Sequence, residues 1–300
     1  MENELLEFDR LNMIRDTINK YGANNFYISF SGGKDSTILS YLVDLALPNN
    51  TIPRVFMNTG MEYVEIVKFV KEMQAKDSRV VIVSPHLAIK PMLEKYGYPF
   101  KGKEHSQRVA VFQHAGKTKS VNEYIGETDK QSFQCPKILR YQFTNKCQLK
   151  ISDKCCHKLK KQPFKKWQKE NGKSICITGM RGEEGGRRTH LTCAIFDKDN
   201  NLEKFHPLVP VSKEFEEYII KKYDIKLCSL YYPPYNFKRT GCKGCPFSLD
   251  LQKSLDKLHE FALSEEKICE IIWKPVYDEY RRLGYRLKKV GTNRQTTIYD

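Results

Sequence analysis

Three groups of residues in this chain of 300 are of the kinds and spacings that do chemistry. The first is Ser31-Gly32-Gly33-Lys34-Asp35-Ser36. Two adjacent glycines let the backbone turn sharply and approach a ligand. Amides at the start of a following helix favour an anion. Ser31 and Ser36 add hydroxyl donors and Lys34 a mobile positive charge, so the stretch describes a phosphate cradle. It is neither the common P-loop, which needs Ser or Thr directly after the lysine, nor a G-x-G-x-x-G dinucleotide fingerprint. The second group is Cys155-Cys156 with Cys242-x-x-Cys245. Four thiolates suit zinc or an iron–sulfur cluster, and adjacent cysteines, whose side chains diverge, suit the separated corners of a cluster better than half a tetrahedron. The third is Gly179-Met180-Arg181-Gly182, continuing to Arg187-Arg188, a turn whose guanidinium groups fit a phosphate or sulfate oxyanion.

The elements that must position these groups are legible from apolar periodicity. An amphipathic helix is expected over residues 1–20. A buried strand, Phe26–Phe30, runs into the cradle, and helical spacing follows it. A second strand, Arg54–Asn58, ends in Thr59-Gly60-Met61-Glu62-Tyr63, with a helix from Val64 to about Gln74. A third strand covers Arg79–Val83. Strand–helix–strand–helix–strand predicts an α/β fold, a Rossmann-like doubly wound parallel sheet, with ligands at the carboxyl ends of the strands near a switch in strand order. A fourth strand is expected at Ser174–Thr178, a hairpin at Leu191–Phe196 and Leu202–Phe205, a helix at Glu214–Tyr223, and a helical tail from Leu249 to about Leu283 with Ala262, Leu263, Ile268, Ile271, Ile272, Val276 and Tyr280 as its apolar face. Lys101–Ser106 reads as loop within an inserted segment, about 84–150, where Arg108 could reach a substrate. The expected domains are 1–247, nucleotide binding, and 248–300, a helical C-terminal extension.

Composition bounds the rest. Apolar residues make up 40% of the chain, enough for a substantial core, and no stretch approaches a membrane span. No signal peptide follows the acidic Met1-Glu2-Asn3-Glu4, so the expected location is cytoplasmic. Ten cysteines in that compartment point to metal or catalytic use and away from a disulfide framework. The net charge of +15, with a lysine run at 158, 160, 161, 165, 166 and 169, fits either a solvated basic face or a polyanionic partner such as nucleic acid.

The cradle resembles the pyrophosphate loop (PP-loop) of the adenine-nucleotide alpha-hydrolase superfamily, whose members split ATP between its alpha and beta phosphates. Cys155-Cys156…Lys160…Pro163, Gly241-Cys242-Lys243-Gly244-Cys245-Pro246, Asn58-Thr59-Gly60, Thr178-Gly179-Met180-Arg181 and Leu230-Tyr231 are similar, in order over residues 25 to about 247, to motifs of the phosphoadenosine phosphosulfate reductase family in its cluster-bearing form. The resemblance implies that Ser31, Gly32, Gly33 and Ser36 bind nucleotide phosphates and that Asn58 and Gly60 line an adenosine pocket. Lys34 would neutralise a leaving pyrophosphate, Asp35 would hold the loop or Mg²⁺, and Arg181 and Arg188 would contact phosphate or sulfate. Cys155, Cys156, Cys242 and Cys245 would ligate a [4Fe–4S] cluster.

Two departures from the reductases are visible. They attack sulfate with a thiol in a C-terminal Glu-Cys-Gly context, whereas residues 291–300 hold no cysteine and Cys269 reads as core. They also usually lack the lysine of Gly-Gly-Lys-Asp. Relatives that keep it, among them the ATP sulfurylase small subunit and tRNA- or DNA-thiolating enzymes, form AMP and pyrophosphate. The expected function is therefore ATP splitting that activates a substrate, with tRNA or DNA as a possible acceptor and a sulfur donor or reductant protein as partner. The alternatives are a sulfonucleotide reductase using Cys135 or Cys147, and nucleotide or nucleic-acid binding without turnover.

Overall fold

The computed structural model describes residues 2–128, 134–184 and 190–289. In chain order the elements are α1 (Glu2–Tyr21), β1 (Phe26–Phe30), α2 (Lys34–Ala46), β2 (Arg54–Met57), α3 (Val64–Lys76), β3 (Val80–Val83), α4 (Ile89–Tyr96), α5 (Lys103–Ala115) and α6 (Lys119–Ile125). They continue with the short α7 (Lys154–Cys156), α8 (Gln162–Glu170), β4 (Ile175–Ile177), β5 (Ala194–Phe196), β6 (Leu202–Phe205), α9 (Lys213–Lys222), α10 (Leu251–Phe261) and α11 (Leu263–Leu283). The expected loop at Lys101–Ser106 is corrected: Gly102 precedes a helix that begins at Lys103. No helix among the described residues is long and apolar enough to cross a membrane.

The chain forms two compact units, one made of the residues up to Pro85 with Gln162–Thr240, the other of His86–Lys161 with the residues from Gly241 onward. This division differs from the expected one. The segment inserted after β3 extends to Lys161, and it shares a unit with the C-terminal helices and with the Cys242–Cys245 turn.

The first unit is an α/β sheet in the order β3-β2-β1-β4-β6-β5, parallel except for the β5–β6 hairpin. Strand order proceeds from β1 outward to β2 and β3 on one side and to β4 and β6 on the other, so the switch point lies between β1 and β4. Alternation along β1 sends Phe26 and Ile28 into a core with Ile14, Ile18, Leu39, Leu42, Phe215 and Ile219. Tyr27 points the opposite way and packs on Phe164 and Trp167 of α8, with ring centroids 6.1 and 5.5 Å distant. Apolar groups on both faces of β1 are what a central parallel strand requires.

The second unit is helical. In α11 the inward stripe is Cys269, Trp273, Val276, Tyr277 and Tyr280. Val276 and Tyr280 are as expected, but Leu263, Ile268 and Ile271 are exposed. The stripe is offset because Trp273 and Tyr277, amphipathic residues that must bury ring area and satisfy a polar atom, set the helix rotation.

Candidate functional site

The cradle closes at the carboxyl end of β1. Gly32 adopts a left-handed φ of 67°, and a Cβ there would press 2.9 Å from a methyl of Val70 on α3. Only glycine makes that turn at that distance. Ser36 folds back: its hydroxyl donates to the Gly33 carbonyl at 3.0 Å, accepts from the Ser31 amide at 3.2 Å, and lies 2.9 Å from the Ser31 hydroxyl. Gly33 caps α2 with no side chain, and the first helical amide, that of Lys34, donates to the Tyr231 hydroxyl at 2.9 Å. That hydroxyl is 2.8 Å from the Thr240 hydroxyl. A Cβ on Gly33 would sit 3.1 to 3.2 Å from Ser31, Thr240 and Tyr231.

β4 delivers the second wall. A Cβ on Gly179 would lie 2.8 Å from the Asp35 carbonyl oxygen, so the turn after β4 touches the first turn of α2 only because residue 179 has no side chain. Arg181 follows. Its Nε is 3.2 Å from Glu216 Oε1 and 3.8 Å from Asp35 Oδ1, and a terminal nitrogen is 2.7 Å from Glu183. The result is a cleft of about 470 Å³ lined by Ser31, Gly33, Lys34, Asp35, Ser36 and Arg181, among others. It lies at the β1/β4 switch point.

Glu216 is the organising residue that the sequence reading missed. It lies in the first turn of α9, whose amino end Ser212 caps by accepting from the Phe215 amide at 3.2 Å. Its side chain is fully buried, yet Lys34 Nζ stands 2.6 Å from one carboxylate oxygen and Arg181 3.2 Å from the other. Neither oxygen accepts, and Arg181 Nε does not donate, a well-directed hydrogen bond. Burial, reinforced by the neighbouring Asp35 carboxyl, raises the Glu216 pKa to about 7 against the pull of Lys34. The signal was present: Glu216 falls on the same stripe as Phe215 and Ile219, and a carboxyl on an apolar stripe needs cationic partners. Behind the β4 turn, Thr178 Oγ1 is 2.6 Å from His206 Nδ1, and burial lowers the His206 pKa to about 4.

The expected ligands divide. Ser31, Gly33, Lys34, Asp35, Ser36 and Arg181 line the cleft; Gly32 shapes its backbone. Asn58 and Gly60 follow β2 at the same sheet edge but are not among its lining residues; Asn58 Oδ1 accepts from the Gly60 amide at 3.1 Å. Tyr231, Lys238, Arg239 and Thr240 line it in addition. Arg188 and the C-terminal residues 291–300 lie outside the described residues.

The four cysteines expected to ligate a cluster, Cys155, Cys156, Cys242 and Cys245, all belong to the second unit. Burial is the main reason the Cys155 thiol is held well above its usual pKa, with Cys156, Cys242 and Cys245 each adding to it. Cys245 is pushed up to about 12 by burial, then by Cys242, with Cys156 adding to it. Burial and neighbouring cysteines thus act together to keep the Cys155 and Cys245 thiols protonated. Among the described residues no three His, Cys, Asp or Glu side chains close as a cage for a single ion.

The Cys242–Cys245 turn is anchored by α11. Gly244 has φ 60°, and a Cβ would overlap the Tyr277 hydroxyl and approach Cys269 Sγ to 2.7 Å. Tyr277 donates to the Gly244 carbonyl and Trp273 to that of Lys243. Tyr280 donates to the Pro246 carbonyl at 2.8 Å, and Lys243 forms a buried 3.0 Å pair with Glu265. Cys155-Cys156 follows Ile151 and Ser152, which pair with Tyr98. Cys269 is core, as expected. Cys135 is buried with its pKa raised to about 11, and Cys147 is half-buried and also raised, so neither is an activated thiolate as it stands.

The family model of the phosphoadenosine phosphosulfate reductase domain matches residues 25–134 and 128–248, a span that holds the cradle, the Arg181 turn and all four cysteines. The chain belongs to that family. An uncharacterized protein of Methanocaldococcus jannaschii is 31% identical over 312 residues, covering 97% of this chain and 62% of that protein; this family member therefore spans less than two thirds of its relative. Among solved structures, it is similar to a phosphoadenylyl-sulfate reductase from Candida auris in a phosphate complex (13% identity, 77% of this chain and 93% of that one, TM-score 0.43). It is also similar to an FMN adenylyltransferase from Candida glabrata with FAD and inorganic pyrophosphate (14%, 80% and 62%, 0.48). A third similarity is to an ammonia-dependent NAD synthetase from Campylobacter jejuni (12%, 92% and 96%, 0.41).

Proposed function

We propose that this member of the family binds ATP in the β1/β4 cleft and splits it into AMP and pyrophosphate to activate an acceptor for sulfur transfer. The observation that carries the reading is the convergence of Lys34 and Arg181 on the buried Glu216 beside the amino end of α2. An acceptor oxygen attacks the α-phosphorus. The bond to the bridging oxygen breaks, and pyrophosphate departs with the electron pair. Negative charge grows on that bridging oxygen, and Lys34, Arg181 and the loop amides are cations and dipoles already fixed beside it. Glu216 holds both cations in place, so little reorganisation is needed during the reaction. Asp35 is the cleft carboxylate that would hold Mg²⁺, and the ion would supply further neutralisation of phosphate charge. The adenylated oxygen then leaves as AMP when sulfur attacks.

In the same proposal Cys155, Cys156, Cys242 and Cys245 hold a [4Fe–4S] cluster, which would supply sulfur relay or a structural staple. The donor set supports this: four thiols in one unit, from a Cys-Cys pair and a Cys-x-x-Cys turn locked by α11. The test is incubation of anaerobically purified protein with α-labelled ATP and Mg²⁺, with tRNA, DNA or sulfate added in turn. Labelled AMP with pyrophosphate is expected; no AMP with any acceptor removes the reading. Family membership favours a second reading, reduction of a sulfonucleotide. Release of sulfite from adenylyl sulfate with thioredoxin, without ATP cleavage, would establish it.

A further inference from the structure

Within the second unit a separate cavity of about 380 Å³ opens beside Cys156. Lys103, Lys154, Lys158 and Lys161 line it, against one carboxylate, Asp153. Among the described residues none of the four lysines has a carboxylate within ion-pair distance, whereas Lys166 on α8 pairs with Glu170 at 3.7 Å. Lys158 is half-buried, its ammonium 4.6 Å from the ring centre of Tyr96. Like charges gathered in one concavity repel one another unless an anion joins them. The backbone is unusual here too: His157–Lys161 forms a π-helical turn directly after the Cys pair. Such turns are rare and recur at functional sites. Hydrogen bonds running i to i+5 align residues five apart, and Cys156 and Lys161 have that spacing.

We propose that this cavity binds a tetrahedral oxyanion, the phosphate of a polynucleotide backbone or free sulfate or phosphate, and so holds an anionic group next to Cys156. The inference deepens the proposed function by naming the charge of the acceptor, but it requires neither ATP cleavage nor a loaded cluster. In the cleft, Lys34 is paired with Glu216; among the described residues the lysines of this cavity have no such partner. A phosphate or sulfate oxygen set can take several ammonium groups at once.

The experiment compares the full chain with Lys158→Gln/Lys161→Gln, Lys158→Arg/Lys161→Arg and Lys34→Ala, using two probes: inorganic sulfate by calorimetry and a short single-stranded oligonucleotide by anisotropy over a range of salt. Each phosphate contact contributes about 0.7 to the slope of log K against log salt for single strands, so the Gln variant is expected to lower the oligonucleotide slope by about 1.4. The Arg variant should retain the slope. Loss of sulfate binding with an unchanged oligonucleotide slope would assign the cavity to the free anion. Unchanged affinity for both probes in the Gln variant, or no binding of either probe by the unsubstituted chain, overturns the proposal. Lys34→Ala should lose AMP formation, while the fall in oligonucleotide slope caused by Lys158→Gln/Lys161→Gln should persist in the Lys34→Ala background, so failure of the nucleotide reading and failure of this one give different results.

Discussion

The two units solve the problem of burying charge-bearing chemistry in opposite ways. In the sheet unit, cations are placed first and balanced by a carboxyl: Lys34 and Arg181 flank Glu216, and the cleft beside them is polar. In the helical unit, four thiols are gathered behind apolar and aromatic side chains, and the lysines of the neighbouring cavity have no carboxylate partner among the described residues. In the first arrangement the cations already have a carboxylate partner. In the second, burial and neighbouring cysteines raise the pKa of the Cys155 and Cys245 thiols. The two sites thus differ in how their ionisable groups are balanced.

The largest expected effect breaks the helical unit's side of this contrast. Cys242→Ser should abolish the brown colour of anaerobically purified protein, with iron and sulfide analysis falling to background, whereas Cys269→Ser should retain colour. A colourless wild-type protein carrying one zinc would contradict the cluster assignment. Next in size are the glycines of close approach. Gly244→Ala forces a side chain into a left-handed position against Tyr277 and Cys269, and should cost roughly 2 to 4 kcal/mol of stability by denaturant unfolding. Gly179→Ala, with a clash against the Asp35 carbonyl, should reduce nucleotide affinity more than stability.

Glu216→Gln keeps shape and removes the charge that holds Lys34 and Arg181. It should lower the rate of pyrophosphate release by roughly tenfold at saturating ATP, with a smaller change in KM. Its pH signature is opposite to that of the buried histidines. The folded-state pKa of Glu216 lies above the free carboxyl value, so its contribution to stability is lost as pH rises towards about 7. His206 and His105 have folded pKa values lowered to about 4, so their contribution is present above about 6.5 and lost as pH falls towards 4. Of these three groups, the sheet unit holds two that act in opposite directions, and the helical unit holds His105, whose ring sits between Tyr124 and Gln142. Hydrogen exchange at pH 7 and pH 5 should therefore show protection falling further around α5 than around α2, the smallest of these effects.

Most of the sheet unit was legible because its signals are local. An apolar strand, two glycines and helical spacing predict the cradle and the doubly wound sheet, and the hairpin at residues 194–205 announces itself through Asp197–Asn201. Glu216 was missed because its role is non-local: it comes from α9, far along the chain from Lys34, and only the fold places its carboxyl 2.6 Å from that ammonium. In the helical unit, the cysteine spacing singled out four thiols but said nothing of what holds the Cys242–Cys245 turn. The anchors are Trp273, Tyr277 and Tyr280, whose polar atoms bond the backbone of residues 243–246. No periodicity in α11 reveals that partner, and the apolar stripe read from Ile268 and Ile271 points to solvent. The segment inserted after β3 resisted placement because Lys101–Ser106 looks like a loop, while Ser106 is buried and bonds both the amide and the carbonyl of Phe100.

The central claim is that Lys34, held by Glu216, makes this cleft a site of ATP cleavage independent of the thiol site. It is tested most directly by measuring AMP and pyrophosphate formation by Lys34→Ala beside the wild type, with iron content determined on the same samples. Loss of AMP formation by two orders of magnitude or more (roughly 10²–10³, the usual cost of removing one preorganised charge) is expected at unchanged iron content. AMP formation by Lys34→Ala at the wild-type rate would contradict it.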